Sequence, residues 1–230
     1  MLVSPPGFTA FDPSDPDRPL RVYRRNLPHW RQDHATYFVT FHTLDSLPQK
    51  ALEDLRELRA FHQARFEALP VADSVSRRVL SREWQQAIAQ REEEWLDQAH
   101  GACPFNHLEN RQILHQILLR FEGVRVYIGA FAIMPNHVHA IVRMADGHKL
   151  ETWLGAVKST CANRLNKQLG RSGPMWFEES FDRIIRDVAH LNRCVKYIGR
   201  NPIKAGLSPD ASNLLWLHPG WSALGYKFTR

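Results

Sequence analysis

Apolar and β-forming residues alternate at the start of the first firm element. Tyr37, Val39 and Phe41 interleave with Phe38, Thr40 and His42 over residues 35–43. A period of two predicts a strand there. From Gln49 to Phe66 the period lengthens, with Leu52, Leu55, Leu58 and Phe61 at helical spacing. Residues 67–105 read as an insertion. Within it Ser81 is placed to cap a helix running through Trp84, Ile88 and Trp95, with a charged opposite face. A further helix is expected over about residues 109–121, carrying Ile113, Ile117 and Leu118. Val124–Met134 and His137–Met144 then predict two strands joined at a Pro135-Asn136 turn. A helix follows over about 150–169, stopped by Gly170. After a loop at 171–183, a last helix spans about Val188–Arg200. Pro202 is expected to end it, because the residue before a proline avoids the helical region.

Residues 1–30 lack this periodicity and contain Pro5, Pro6, Pro13, Pro16, Pro19 and Pro28. They predict an extended, poorly ordered arm ahead of one domain over residues 31–230. The order β, α, insertion, α, β, β, α, loop, α shows no internal repeat. It fits an α+β class with an antiparallel sheet packed on helices.

Composition narrows the class of protein. The 230 residues are 43% hydrophobic and 23% charged, as in a soluble globular chain. No run approaches the roughly 20 apolar residues of a membrane span, and residues 1–20 lack the apolar core of a signal peptide. Three cysteines without a Cys-x-x-Cys pair disfavour disulfides and a cysteine zinc knuckle. A reducing cytoplasm is the expected compartment. The formal charge is +6 and unevenly placed. Residues 143–204 hold twelve Lys or Arg against six Asp or Glu, and the remainder balances. Such a window suits a polyanionic partner, and it equally suits a solvated helix face.

The sharpest chemical signal is Met134-Pro135-Asn136-His137-Val138-His139-Ala140-Ile141-Val142. On a strand, His137 and His139 share one face while Val138 and Ala140 take the other. Two adjacent imidazoles can hold a divalent ion. They can also be two surface or hydrogen-bonded histidines. Ile141 stands where a histidine-triad hydrolase needs another histidine, and Val142-Arg143 where a metallo-β-lactamase continues with Asp-His. A third ligand must come from elsewhere. A second signal is Tyr197-Ile198-Gly199-Arg200-Asn201-Pro202. Tyr197 and Asn201 lie one helical turn apart on one face. Asn201 can offer a carbonyl oxygen to the same ion, and Tyr197 can attack a phosphate held there. The alternative is a core tyrosine followed by a helix-ending Asn-Pro.

Several ordered motifs together resemble the HUH single-tyrosine transposases. They are Met134–Val142, Gly170–Trp176, Phe181–Asp187 and Tyr197–Leu207, with the early Tyr37–Phe41 strand. The branch most similar is the REP-associated tyrosine transposases, and the resemblance covers roughly Ala35 to Tyr226, weakest over 67–105. It implies a ferredoxin-like sheet, a divalent ion such as Mg²⁺ or Mn²⁺, and single-stranded DNA with a hairpin as substrate. His137 and His139 match the histidine pair, Tyr197 the nucleophile, and Asn201 the asparagine of the tyrosine helix. Gly199 departs from the pattern, where the family often has histidine. On this reading Lys149, Lys158, Arg164, Lys167 and Arg171 grip phosphates. Trp176 and Phe177 either stack on unpaired bases or pack in the core. The other histidines are read as structural or surface residues.

The implied activity is metal-dependent nicking and rejoining of single-stranded DNA beside hairpins, through a 5′-phosphotyrosine on Tyr197. A catalytically weak hairpin-binding protein derived from a transposase is the alternative, and a plasmid-transfer initiator a more distant one. Monomer and homodimer both remain open.

Overall fold

A computed structural model describes residues 3–24, 28–207 and 214–228. Its centre is a five-stranded antiparallel sheet in the order β6-β3-β5-β4-β7. The strands are β3 (Thr36–His42), β4 (Val126–Ile133), β5 (His137–Met144), β6 (Phe181–Ile184) and β7 (Leu215–Leu217). A separate hairpin, β1 (Arg21–Arg24) with β2 (Pro28–Arg31), precedes it. The helices are α1 (Gln49–Glu67), α2 (Ser74–Leu96), α3 (Leu108–Leu119), α4 (Leu150–Gln168), α5 (Val188–Lys204) and α6 (Pro219–Ala223). The run β3-α3-β4-β5-α4-β6 with spatial order 6-3-5-4 is the ferredoxin-like βαββαβ arrangement. The α1–α2 hairpin is inserted in its first crossover, and β7 is added at the far edge.

Period-two alternation divides the core into two layers. Tyr37, Val39, Phe41, Val138, Ala140 and Val142 face α3 and α4, meeting Leu114, Leu118, Trp153, Val157, Cys161 and Leu165. Phe38, Ala132, Met134 and Ile141 face the other way, against Leu191, Cys194, Val195 and Ile198 of α5. The β4–β5 register shifts between Ile128 and Ala130. The shift falls at Gly129, where any Cβ would collide with the Trp221 ring, so glycine lets α6 close over the sheet. The inserted hairpin has a small core of its own, made of Leu47, Ala51, Leu55, Ile88 and Leu96.

Several sequence expectations need correction. The N-terminal arm is pinned rather than loose. The Pro6 carbonyl accepts from Trp221 Nε1 at 2.8 Å, Gly7 O from Arg143 Nε at 2.6 Å and Val3 O from Tyr226 Oη at 2.9 Å. Residues 1, 2 and 25–27 of that arm lie outside the described residues. Ser81 is interior to α2, which starts seven residues earlier. Asp73 caps it by accepting from the Ser76 amide at 3.0 Å. Pro202 does not end α5 at Arg200. It sits in the last turn, where it removes one donor while Ala205 N still bonds Asn201 O at 3.1 Å. The short strands β6 and β7 carried no alternation long enough to read. Cys103, Cys161 and Cys194 are free and buried.

Candidate active site

Asp187 caps α5, accepting from the His190 amide at 2.6 Å, and so starts the helix that packs on one face of the sheet over β4 and β5. On that face the antiparallel register sets His42 opposite His137 and Thr40 opposite His139. His137 and His139 are both buried, and their Nε2 atoms stand 3.1 Å apart. Their Nδ1 atoms are held from behind. Asn136 donates through Nδ2 to His100 O at 2.9 Å, so its Oδ1 accepts from His137 Nδ1, 2.8 Å away. That bond leaves His137 Nε2 as a lone pair aimed at His139. Thr40 Oγ1 lies 2.8 Å from His139 Nδ1 and, by turning its hydroxyl, serves either tautomer of that ring.

This donor set fits a divalent ion. The 3.1 Å separation suits two neighbouring positions around one ion at the usual metal–nitrogen distance of about 2.1 Å. Outer-layer bonds to Nδ1 are the ordinary way a ligating imidazole is oriented. Both rings are kept neutral, the form that ligates. Burial is the main cause, pushing His139 down to about 3, helped by Arg183 and Lys204. His137 falls well below the usual histidine range through burial, then through His139 and His42. Among the described residues no set of three or more His, Cys, Asp or Glu side chains is grouped to share an ion. Asn201 Oδ1 is a buried acceptor without a hydrogen-bond partner, which makes it a fitting donor, although Asn201 does not line the cleft described next.

Tyr197 packs edge-on against His139 at 5.3 Å and against Phe38 at 5.6 Å between ring centroids. Its phenol oxygen is buried without a hydrogen-bond partner. Glu93 and Asn201 approach it closely enough to bias its ionisation, but neither meets it with good geometry. Burial above all, and then the Glu93 charge, push the phenol far above its ordinary value. Tyr197 and His139 open onto a cleft of about 530 Å³ floored by Phe38 and Thr40. One wall is α2, through Arg82, Gln85, Gln86, Ala89 and Glu93. The opposite side presents Arg183, Arg186 and His190.

Residues 106–201 match the family model described as transposase, IS200 like. That match spans fewer than half of the residues of the chain. It runs from the end of the insertion to Asn201, and it contains His137, His139 and Tyr197. Among solved structures, a REP-associated tyrosine transposase bound to a REP hairpin is similar at 16% identity, with a TM-score of 0.41. The likeness covers 81% of this chain and 74% of that one. No curated protein matches the chain.

The residues selected from sequence do not all gather around this site. His137, His139 and Tyr197 do. Lys149, Arg164, Lys167 and Arg171 are exposed along α4 or just beyond its two ends, in the layer on the opposite face of the sheet. Lys158 donates to the carbonyls of Phe177, Glu178 and Glu179 at 2.9–3.2 Å, and so ties down the loop before β6. Trp176 is 7% exposed, wedged between Phe41 at 5.0 Å and Phe105 at 5.4 Å. It is a core residue and cannot stack on a base in this arrangement. Phe177 is half-buried and stacks on His42 at 4.8 Å. His42, read from sequence as structural, lies beside the pair, with Nδ1 2.6 Å from Ser46 Oγ and Nε2 3.5 Å from Glu92. Burial pushes His42 down to about 4 and Glu92 up to about 7.

Sequence reasoning missed Arg183, Arg186, Glu92 and Glu93. Arg183 and Arg186 lay inside the basic window, and recognising β6 would have put Arg183 opposite Phe38. Nothing in the sequence linked the inserted helix to the histidine pair. No described helix is long and apolar enough to cross a membrane.

Proposed function

We propose that residues 31–230 form the catalytic unit of a single-tyrosine DNA strand transferase. It would cut single-stranded DNA beside a hairpin and rejoin strands. The observation that carries this reading is the meeting of three side chains on one sheet face. The Nε2 atoms of His137 and His139 lie 3.1 Å apart, and the Tyr197 ring touches His139. The IS200-like match over the same residues supports it.

In this reading His137 and His139 hold a divalent ion, Mg²⁺ or Mn²⁺, with Asn201 Oδ1 as the third protein donor. The ion, when bound, supplies charge neutralisation at the phosphate. Tyr197 Oη forms a bond to phosphorus while the bond from phosphorus to the 3′-oxygen of the preceding nucleotide breaks. The phenolic proton ends on that 3′-oxygen, giving a 5′-phosphotyrosine and a free 3′-hydroxyl. Attack by a second 3′-hydroxyl reverses the sequence and joins strands, because the phosphotyrosine keeps the bond energy. Arg183 and Arg186 hold phosphates within the cleft. Lys149, Arg164, Lys167 and Arg171 offer a separate cationic surface for the hairpin stem.

The test is incubation with labelled hairpin oligonucleotides and Mn²⁺. A protein–DNA adduct that survives denaturation and maps to Tyr197 is expected, and Tyr197→Phe should bind the DNA yet form none. An adduct on another tyrosine, such as Tyr37 or Tyr226, overturns the mechanism. A second reading, a hairpin-binding protein with weak catalysis, is favoured by one feature. The phenol is buried beside Glu93, which opposes its ionisation. DNA binding without any adduct would select that reading.

A further inference from the structure

The inserted helix α2 forms a wall of the cleft that no part of the βαββαβ unit provides. Arg82, Gln86, Ala89 and Glu93 follow at steps of four, three and four, so they share one helix face, with Gln85 beside them. All five line the cleft above Tyr197 and His139. Three features separate this face from an ordinary solvated one.

First, the hairpin's other described glutamines turn back onto their own helices. Gln49 bonds Glu53 at 2.8 Å, Gln90 bonds Glu94 at 3.1 Å, Gln98 bonds Glu94 O at 3.0 Å, and Gln63 bonds Glu67. Gln85 and Gln86 make no such bond among the described residues, so each keeps a free donor and a free acceptor at the cleft. Second, Ala89 is the one small side chain in the row, and it leaves room at the level of these amides. Third, charge is graded along the wall. Arg82 stands toward the N-terminal end of α2. Glu93 stands at the deep end, beside Tyr197 and held 3.6 Å from Lys204. A volume near 530 Å³ falls within the small-ligand range of about 300–1,000 Å³, enough for about one or two unpaired nucleotides and too little for a duplex.

We propose that Gln85 and Gln86 read the base edges of the unpaired nucleotides next to the scissile phosphate, with Arg82 on their backbone. The insertion is then the sequence-selecting part of the enzyme. Glutamine amides suit this task, because a side-chain carbonyl and amide together match the donor–acceptor pair of an adenine edge. The inference rests on the strand-transferase reading for the identity of the ligand.

The experiment uses the full chain and hairpin oligonucleotides whose unpaired flanking positions are randomised. Cleavage by the wild type is measured with Mn²⁺. Equilibrium binding is measured separately by fluorescence anisotropy in a Tyr197→Phe background, so that selectivity is read without chemistry. The Gln85→Ala/Gln86→Ala pair should lose about tenfold discrimination at one or two positions. The best sequences should weaken and the poor ones stay unchanged. Gln86→Glu should move the preferred base rather than flatten the profile. Arg82→Ala should weaken all sequences equally. Unchanged base preferences in both assays for the double variant, or a uniform loss across sequences, overturn the proposal. If the wild type binds selectively but forms no adduct, the catalytic reading fails while the reading of the wall is still decided by the binding arm.

Discussion

A Cβ placed on Gly199 would stand 2.5 Å from the Cβ of Phe228. The C-terminal segment therefore packs directly onto the backbone of α5, two residues after Tyr197. This accounts for the glycine at position 199, since a side chain there would displace Phe228. Overpacking costs about 1–3 kcal/mol, whereas replacing a mid-helix glycine by alanine returns about 1 kcal/mol. Gly199→Ala should thus destabilise the protein and lower adduct formation. In a Phe228→Ala background the same change should become neutral or stabilising. Thermal melts of the four proteins in this double-mutant cycle measure the coupling.

Removing the outer bonds to the histidine pair should weaken metal binding without removing a ligand. Asn136→Ala frees His137 Nδ1, and Thr40→Val frees His139 Nδ1. Each should lower Mn²⁺ affinity about 10–100-fold in calorimetric titration. His137→Ala should abolish binding. Wild-type Mn²⁺ affinity in both outer variants would refute the assigned orientation of the pair.

Buried neutral histidines set the response to acid. His139 is held at about 3 and His42 and His190 at about 4, against an ordinary 6.5, with burial the leading cause in each. Below 6.5 the unfolded chain takes up protons that the folded chain refuses. Stability is therefore fully present above 6.5 and lost as pH falls toward these values, with a slope of up to about 1.4 kcal/mol per pH unit for each histidine. Glu92, pushed up to about 7, acts in the opposite direction from its ordinary 4.5 upward, but three histidines outweigh one carboxyl. The melting temperature should drop steeply from pH 6.5 to 4.5. Mn²⁺ should raise it at pH 7.5, less so at pH 5.5. A flat profile would show that the histidine face is open to water.

The two cationic surfaces should separate in salt titrations. Arg183→Ala and Arg186→Ala lie in the cleft, and each should reduce the slope of log affinity against log salt for unpaired DNA by about 0.7. Arg164→Ala and Lys167→Ala, on the other layer, should leave short unpaired strands unaffected and weaken only oligonucleotides with a stem. Equal effects of all four on short strands would place the strand on α4 instead.

Much of the layout was written in local periodicity. β5 was read as His137–Met144, the bounds it has, because alternation and the Pro135-Asn136 turn leave little choice. The shared face of His137 and His139 followed from the same rule. What local pattern does not carry is the assignment of elements to layers. The basic residues of α4 looked close to the histidines because they follow them in sequence, yet the sheet stands between. Trp176 was ambiguous for a related reason, since an aromatic residue in a loop packs inward or outward according to neighbours far away, here Phe41 and Phe105. The short strands β6 and β7 exist because β3 and β4 offer them edges to pair with, a tertiary cause with no trace in four or three residues.

The small separate core of the α1–α2 hairpin has a dynamic consequence. Leu47, Ala51, Leu55, Ile88 and Leu96 pack among themselves. Among the described residues, polar ties from α2 across to the site include the ion pairs of Lys204 with Glu93 and Asp97 and the approach of Glu92 to His42. A unit with its own core and ionic ties to its neighbour can detach as a whole, a sub-global opening that leaves the sheet folded. Its amides should then exchange with solvent as one cooperative set, ahead of those in β3 and β5. The same opening would uncover the Tyr197 phenol, and higher ionic strength would favour it.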